Sequence, residues 1–257
     1  MLPTFLLIGA NKAGTTSLYH YLKQHPDIYM SPVKEPRFFT AHDEQQRIHQ
    51  ADGSPWGEQV DDLRQYEALF AGATTEQERG EASTTYLPHP DAPRRIRELV
   101  PDVKLVAVLR DPSDRAFSMH QMNVRLGLEP LADFGRALEA EQVEHSWRSY
   151  LELGFYYAQV KRYLDLFAPQ QTRLYLYEEF SADPIRTLKD ILGFLGVDPA
   201  FAPDVSTKHN VRGQFQAEGV GPSGLTPEVR QKLVEAYRQD ILQLQDLIQR
   251  DLSAWLK

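Results

Sequence analysis

Three short apolar runs stand out against a largely polar chain: Phe5 to Ile8, Lys104 to Leu109 within "VKLVAVLRDP", and Arg173 to Tyr177 within "TRLYLYEEF". Runs of this length, apolar at successive positions, predict strands covered on both faces, as in a parallel sheet. A weaker strand is predicted at Arg79 to Ala82 in "ERGEASTTYL". Between the strands, apolar residues recur at helical spacing, which predicts helices over about Thr15–Gln24, Ala92–Leu99, Asp114–Leu126, Phe134–Glu144, Leu151–Phe167, Pro184–Leu195 and Pro227–Leu252. In the last, Leu233, Tyr237, Ile241, Leu244, Ile248 and Leu252 mark one face, with Thr226 as N-cap and Pro227 at the first helical position. Strands alternating with helices predict an α/β fold, an open parallel sheet flanked by helices. The chain, residues 1–257, is read as a single domain without internal repeat. Two irregular stretches, 40–62 and 203–226, are read as lid segments: the first is polar and mixed, and the second holds four glycines and two prolines.

The first strand runs into "GANKAGTTSLYHYL", a glycine-bearing loop followed by a helix, which gives the sheet its P-loop type. Where a strand passes into a helix, free amides and the helix dipole favour a phosphate or sulfate, and glycines let the anion approach the backbone. Lys12 adds charge, and Thr15 and Thr16 add hydroxyls. The ATP-type loop has a lysine directly after its second glycine, whereas here Thr15 stands there and Lys12 lies inside the loop. The second constellation is "LVAVLRDPSDRAFSMH". Arg110 falls at the carboxyl end of a strand, the ligand-binding edge of an open parallel sheet, and an arginine fork with the Ser118 hydroxyl suits a phosphate. A plain ion pair of Arg110 with Asp111 or Asp114 is the alternative. In "SPVKEPRFF", Glu35 lies between Lys34 and Arg37, where a carboxylate serves either as general base or as a solvated surface charge.

Composition narrows the partners. A net charge of -8 without any basic tract argues against nucleic acid, and the absence of cysteine excludes disulfides and thiolate metal sites. No stretch approaches the ~20 apolar residues of a membrane span and no signal peptide is evident, so a cytoplasmic protein without a membrane partner is expected.

The loop "GANKAGTTSLYHYL" resembles the 5′-phosphosulfate loop of the PAPS-dependent sulfotransferases, and "LVAVLRDPSDRAFSMH" resembles their 3′-phosphate motif. The order of these motifs, with "KEPRFF" and "GEASTTYL" between them, is most similar to the heparan sulfate sulfotransferase branch and its bacterial relatives. The resemblance implies 3′-phosphoadenosine 5′-phosphosulfate (PAPS) as donor, the bisphosphate PAP as product, and no metal. By position it implies that Lys12, Ala13, Gly14, Thr15, Thr16 and Ser17 hold the 5′ end, that Arg110 and Ser118 hold the 3′-phosphate, and that Lys12 and Glu35 are catalytic, Glu35 as base. That branch often carries a lysine where this chain has Ala82. Lys208 or Arg212 is a candidate to close over the nucleotide, and His42 or His20 to supply missing chemistry. The acceptor is expected to be a hydroxylated metabolite, a sugar or a hydroxyacyl chain on a carrier protein, with the chain acting alone or within a parent synthase. Competing readings are a P-loop nucleotide kinase or NTPase, and a non-catalytic 3′-phosphoadenosine-binding module.

Overall fold

The computed structural model describes residues 1–41, 60–144, 150–207 and 225–257. Most of both proposed lids, with His42, Lys208 and Arg212, lies outside these residues. The chain forms two compact units, one of residues 1–41, 60–110 and 162–207, the other of 111–144, 150–161 and 225–257.

The first unit holds a five-stranded sheet in the order β2-β3-β1-β4-β5, every pair parallel. The strands are β1 (Phe5–Gly9), β2 (Ile28–Met30), β3 (Glu78–Ala82), β4 (Lys104–Leu109) and β5 (Thr172–Leu176). Every residue of β1 is buried, as are the last five of β4, which is why these central strands read as unbroken apolar runs. Burying Phe5, Leu6 or Ile8 fully stabilises the fold by about 1.5–3 kcal/mol each. Helices α1 (Thr15–Leu22), α2 (Leu63–Ala68), α3 (Ala92–Leu99), α7 (Tyr177–Ala182) and α8 (Pro184–Leu195) belong to the same unit. The strand expected at Arg173–Tyr177 is β5 and lies one residue earlier at both ends, because Tyr177 opens α7. Neither β2 nor α2 was anticipated, since three and six residues carry too little periodicity to register.

The second unit is helical, with α4 (Pro112–Arg125), α5 (Phe134–Glu144), the start of α6 (Tyr156–Leu166) and α9 (Pro227–Ile248). Helix α4 begins two residues before the expected Asp114, because the Asp111 carboxylate accepts from the amides of Ser113 (2.8 Å) and Asp114 (3.2 Å) and Pro112 occupies N1. The helix expected over Leu151–Phe167 is broken by a 3₁₀ turn at Glu152–Gly154; α6 then starts at Tyr156, and Asp240 accepts from the Tyr157 amide at 3.1 Å. Helix α9 stops at Ile248 rather than Leu252, where Gln249 turns left-handed (φ 53°) and sends Leu252 and Trp255 into the core. No described helix is long and apolar enough to cross a membrane.

Candidate active site

The strand order places the ends of β3, β1 and β4, where the candidate residues fall, side by side. β1 has β3 on one side and β4 on the other, and the chain leaves β1 toward β2 but leaves β4 toward β5. The crevice at β1 and β4 is therefore the switch point of the sheet, where open α/β sheets bind ligands. The loop after β1 is anchored by the Ala10 amide on the Val108 carbonyl (2.7 Å) and turns through two left-handed residues, Lys12 (φ 66°) and Gly14 (φ 81°). Gly14 is the N-cap of α1 and has no side chain with which to cap it. A Cβ at Gly14 would stand 3.1 Å from the Tyr177 and Phe180 rings, so a glycine fits both the torsion and the space. Ala13 and Thr15 are buried against the loop, and Thr16 and Ser17 continue into the first turn.

Arg110 follows β4 and reaches this loop. Its Nη1 donates to the Lys12 carbonyl at 2.9 Å, and its guanidinium lies over the Tyr177 ring, 4.6 Å from the centroid. Its Nε is buried without a hydrogen-bond partner. A planar donor held on two sides with a buried N–H left over fits an anionic oxygen that the protein itself does not provide. The acids of the expected alternative, Asp111 and Asp114, have a cation within their own unit. Arg230 of α9 takes both acids, reaching Asp111 Oδ2 at 3.3 Å and also pairing with Asp114. Ser118 lies on α4, in the second unit, and is half-buried.

Glu35 is fixed to the edge of β3. Its amide donates to the Ala82 carbonyl (2.8 Å), and its two carboxylate oxygens accept from the Thr84 hydroxyl and the Thr84 amide, each at 2.9 Å. Lys34 Nζ stands 3.0 Å from Oε1, and Arg37 Nε stands 4.0 Å from Oε2. The turn carrying Thr84 is bonded to the end of β1, through the Ser83 amide on the Leu7 carbonyl (3.1 Å) and the Leu87 amide on the Ile8 carbonyl (2.9 Å). Glu35, bonded to the end of β3, thus shares one edge of the sheet with the Lys12 loop after β1 and with Arg110 after β4.

Over residues 2–217 the sequence matches the sulfotransferase domain family. The chain belongs to that family. Among solved structures, a sulfotransferase from Alicyclobacillus acidocaldarius is 37% identical and superposes with a TM-score of 0.86, with 100% of each chain covered. A mouse sulfotransferase complexed with PAP shares the fold at a TM-score of 0.55 and 17% identity, over 93% of this chain and 84% of its own. Among curated relatives, the Homo sapiens bifunctional heparan sulfate N-deacetylase/N-sulfotransferase 3 is 30% identical over 208 residues, which are 78% of this chain and 23% of that protein. The chain therefore spans less than a quarter of that relative's length. Membership of the sulfotransferase family displaces the nucleotide kinase and NTPase reading.

Two features of this sulfotransferase escaped the sequence. Tyr177 and Phe180 wall the loop from α7, and Tyr177 sits directly after a strand, the same signal that singled out Arg110. Thr84 grips Glu35 from 49 residues away, a pairing that no local pattern carries. His20 packs edge-on against Tyr19 at 5.1 Å between ring centroids.

Proposed function

We propose that this sulfotransferase moves a sulfuryl group from PAPS to an acceptor hydroxyl by in-line displacement, with Glu35 as general base. The observation that carries the reading is the Arg110 guanidinium, held by the Lys12 carbonyl and the Tyr177 ring at the end of β4 with a buried N–H unpartnered. Arg110 supplies the fork for the 3′-phosphate of the donor, and Ser118 joins it by the resemblance of its motif. Lys12, Ala13, Gly14, Thr15, Thr16 and Ser17 receive the 5′ end at the start of α1. When bound, PAPS supplies an activated sulfuryl group on a phosphate leaving group. Glu35 takes the proton of the acceptor hydroxyl as the acceptor oxygen bonds to sulfur. The bond from sulfur to the bridging oxygen breaks, and Lys12 with the loop amides stabilises the charge that this oxygen gains.

Acceptor class is the finer part of the proposal. The acidic balance of the chain favours a small hydroxylated metabolite, a sugar or a carrier-bound hydroxyacyl chain. A labelled-PAPS screen should therefore contain simple alcohols, monosaccharides and a hydroxyacyl carrier protein. Because the curated relative is named an N-sulfotransferase, an amino sugar belongs in it too. The base assignment is tested by Glu35→Gln. PAP affinity should stay within about twofold, while single-turnover transfer should fall by about 10²–10⁴-fold. Near-normal transfer by this variant would remove Glu35 from the mechanism.

A further inference from the structure

Glu81 is 0% exposed, yet no cation pairs with it among the described residues. Its charge is met by hydroxyls instead. Oε1 accepts from Tyr86 (2.6 Å) and Tyr66 (3.0 Å), and Oε2 accepts from Ser83 (2.9 Å). Burial lifts this carboxyl to about 7 against the pull of those three donors, so ionising it is costly even with them in place. A residue needed for packing alone would be better served by an apolar side chain.

The purpose is visible one bond further out. Ser83 Oγ, which gives its proton to Glu81, also accepts from the Arg37 amide at 3.1 Å. With its proton on Glu81 Oε2, the Ser83 hydroxyl has its rotor set and its oxygen lone pair facing that amide. Arg37 (φ 57°) and Glu35 (φ 62°) are both left-handed without being glycine, and such a bend persists only when its surroundings hold it. Four of the bonds that hold it end on residues 82–84, at the Ala82 carbonyl, the Ser83 hydroxyl and the Thr84 amide and hydroxyl, and the Val60 amide adds one to the Pro36 carbonyl at 3.1 Å. We propose that Glu81 is a positioning residue for the Glu35 carboxylate, orienting Ser83 so that the bend at 35–37 presents Glu35 at the sheet edge. This inference rests on the reading of Glu35 as the base.

Glu81→Gln puts an amide N–H₂ where Ser83 now finds an acceptor, and Ser83→Ala removes the link itself. If Glu81→Gln does not fold, Ser83→Ala carries the test. Hydrogen exchange read by mass spectrometry should show the Glu35 and Arg37 amides exchanging about tenfold faster in both variants, with PAP affinity unchanged. Single-turnover transfer to the acceptor that the screen returns, or to water where it returns none, should fall by about 10- to 100-fold. In a Glu35→Gln background the same substitutions should cause no further fall, because a misplaced base and an absent base are one defect. Unchanged exchange at 35–37, or an equal fall in both backgrounds, overturns the positioning role while leaving the base reading intact. Normal transfer by Glu35→Gln alone overturns the base reading, and this inference with it.

Discussion

Replacing Arg110 by alanine should separate the two ends of the donor. In the folded protein Nη1 is committed to the Lys12 carbonyl, so on the proposed reading Nε and Nη2 are the atoms offered to the 3′-phosphate. Two charge-assisted bonds at about 1.5–3 kcal/mol each set an upper bound of roughly 6 kcal/mol. Arg110 is partly exposed, so solvent screening reduces this to about 2–4 kcal/mol, a loss of roughly 30- to 1000-fold in PAP affinity. The substitution also cuts the loop's bond to Arg110, a neutral contact of about 0.5–1.5 kcal/mol, so AMP, which lacks the 3′-phosphate, should weaken by only roughly 2- to 10-fold. Calorimetric titration of both nucleotides against wild type and variant, with EDTA present, reads the two numbers directly. Equal weakening of PAP and AMP would mean that Arg110 shapes the loop without touching the 3′-phosphate.

Tyr177→Phe should keep PAP affinity near wild type because the ring under Arg110 remains, whereas Tyr177→Leu should lose about two- to fivefold, the worth of a partly exposed cation–π contact; matching losses would argue against the stack. Burial raises Glu81 to about 7, Glu141 to about 7 and Asp240 to about 6. Between the ordinary carboxylate range and these values the folded state binds more protons than the unfolded one, so stability should fall as pH rises from about 4.5 through 7. Thermal melts should show a lower Tm at pH 7.5 than at pH 5.5. Asp240→Asn, which keeps an acceptor for the Tyr157 amide, should flatten part of that slope; an unchanged slope would refute it. Gly80→Ala would set a Cβ 2.1 Å from Phe5 Cζ in the centre of the sheet, so the urea midpoint should drop by the equivalent of about 1–3 kcal/mol or more, and an unmoved midpoint would show that Phe5 can yield.

What the sequence determined by itself was whatever is encoded within a few neighbouring residues. β1 and β4 were legible because strands covered on both faces are apolar throughout, and α9 because its buried positions repeat over many turns. The phosphate-type loop and Arg110 were legible for the same reason, since a strand, a turn and a helix start are contiguous in the chain. β3 was faint: its sequence is "ERGEA", and its burial depends on hydroxyls from Tyr66 and Tyr86 and on a glycine that admits Phe5. The tertiary structure alone decided which partners distant residues take. Arg230 pairs with Asp111 and Asp114; Tyr177 lies under Arg110; and Thr84 grips Glu35. Each of these contacts joins segments separated by tens of residues, and the parallel pairing of β3, β1 and β4 brings Glu35, the Lys12 loop and Arg110 to one edge. Parallel strands are joined by crossovers that carry the chain away from the site and back, so adjacency at that edge is a property of strand order and has no counterpart in local sequence.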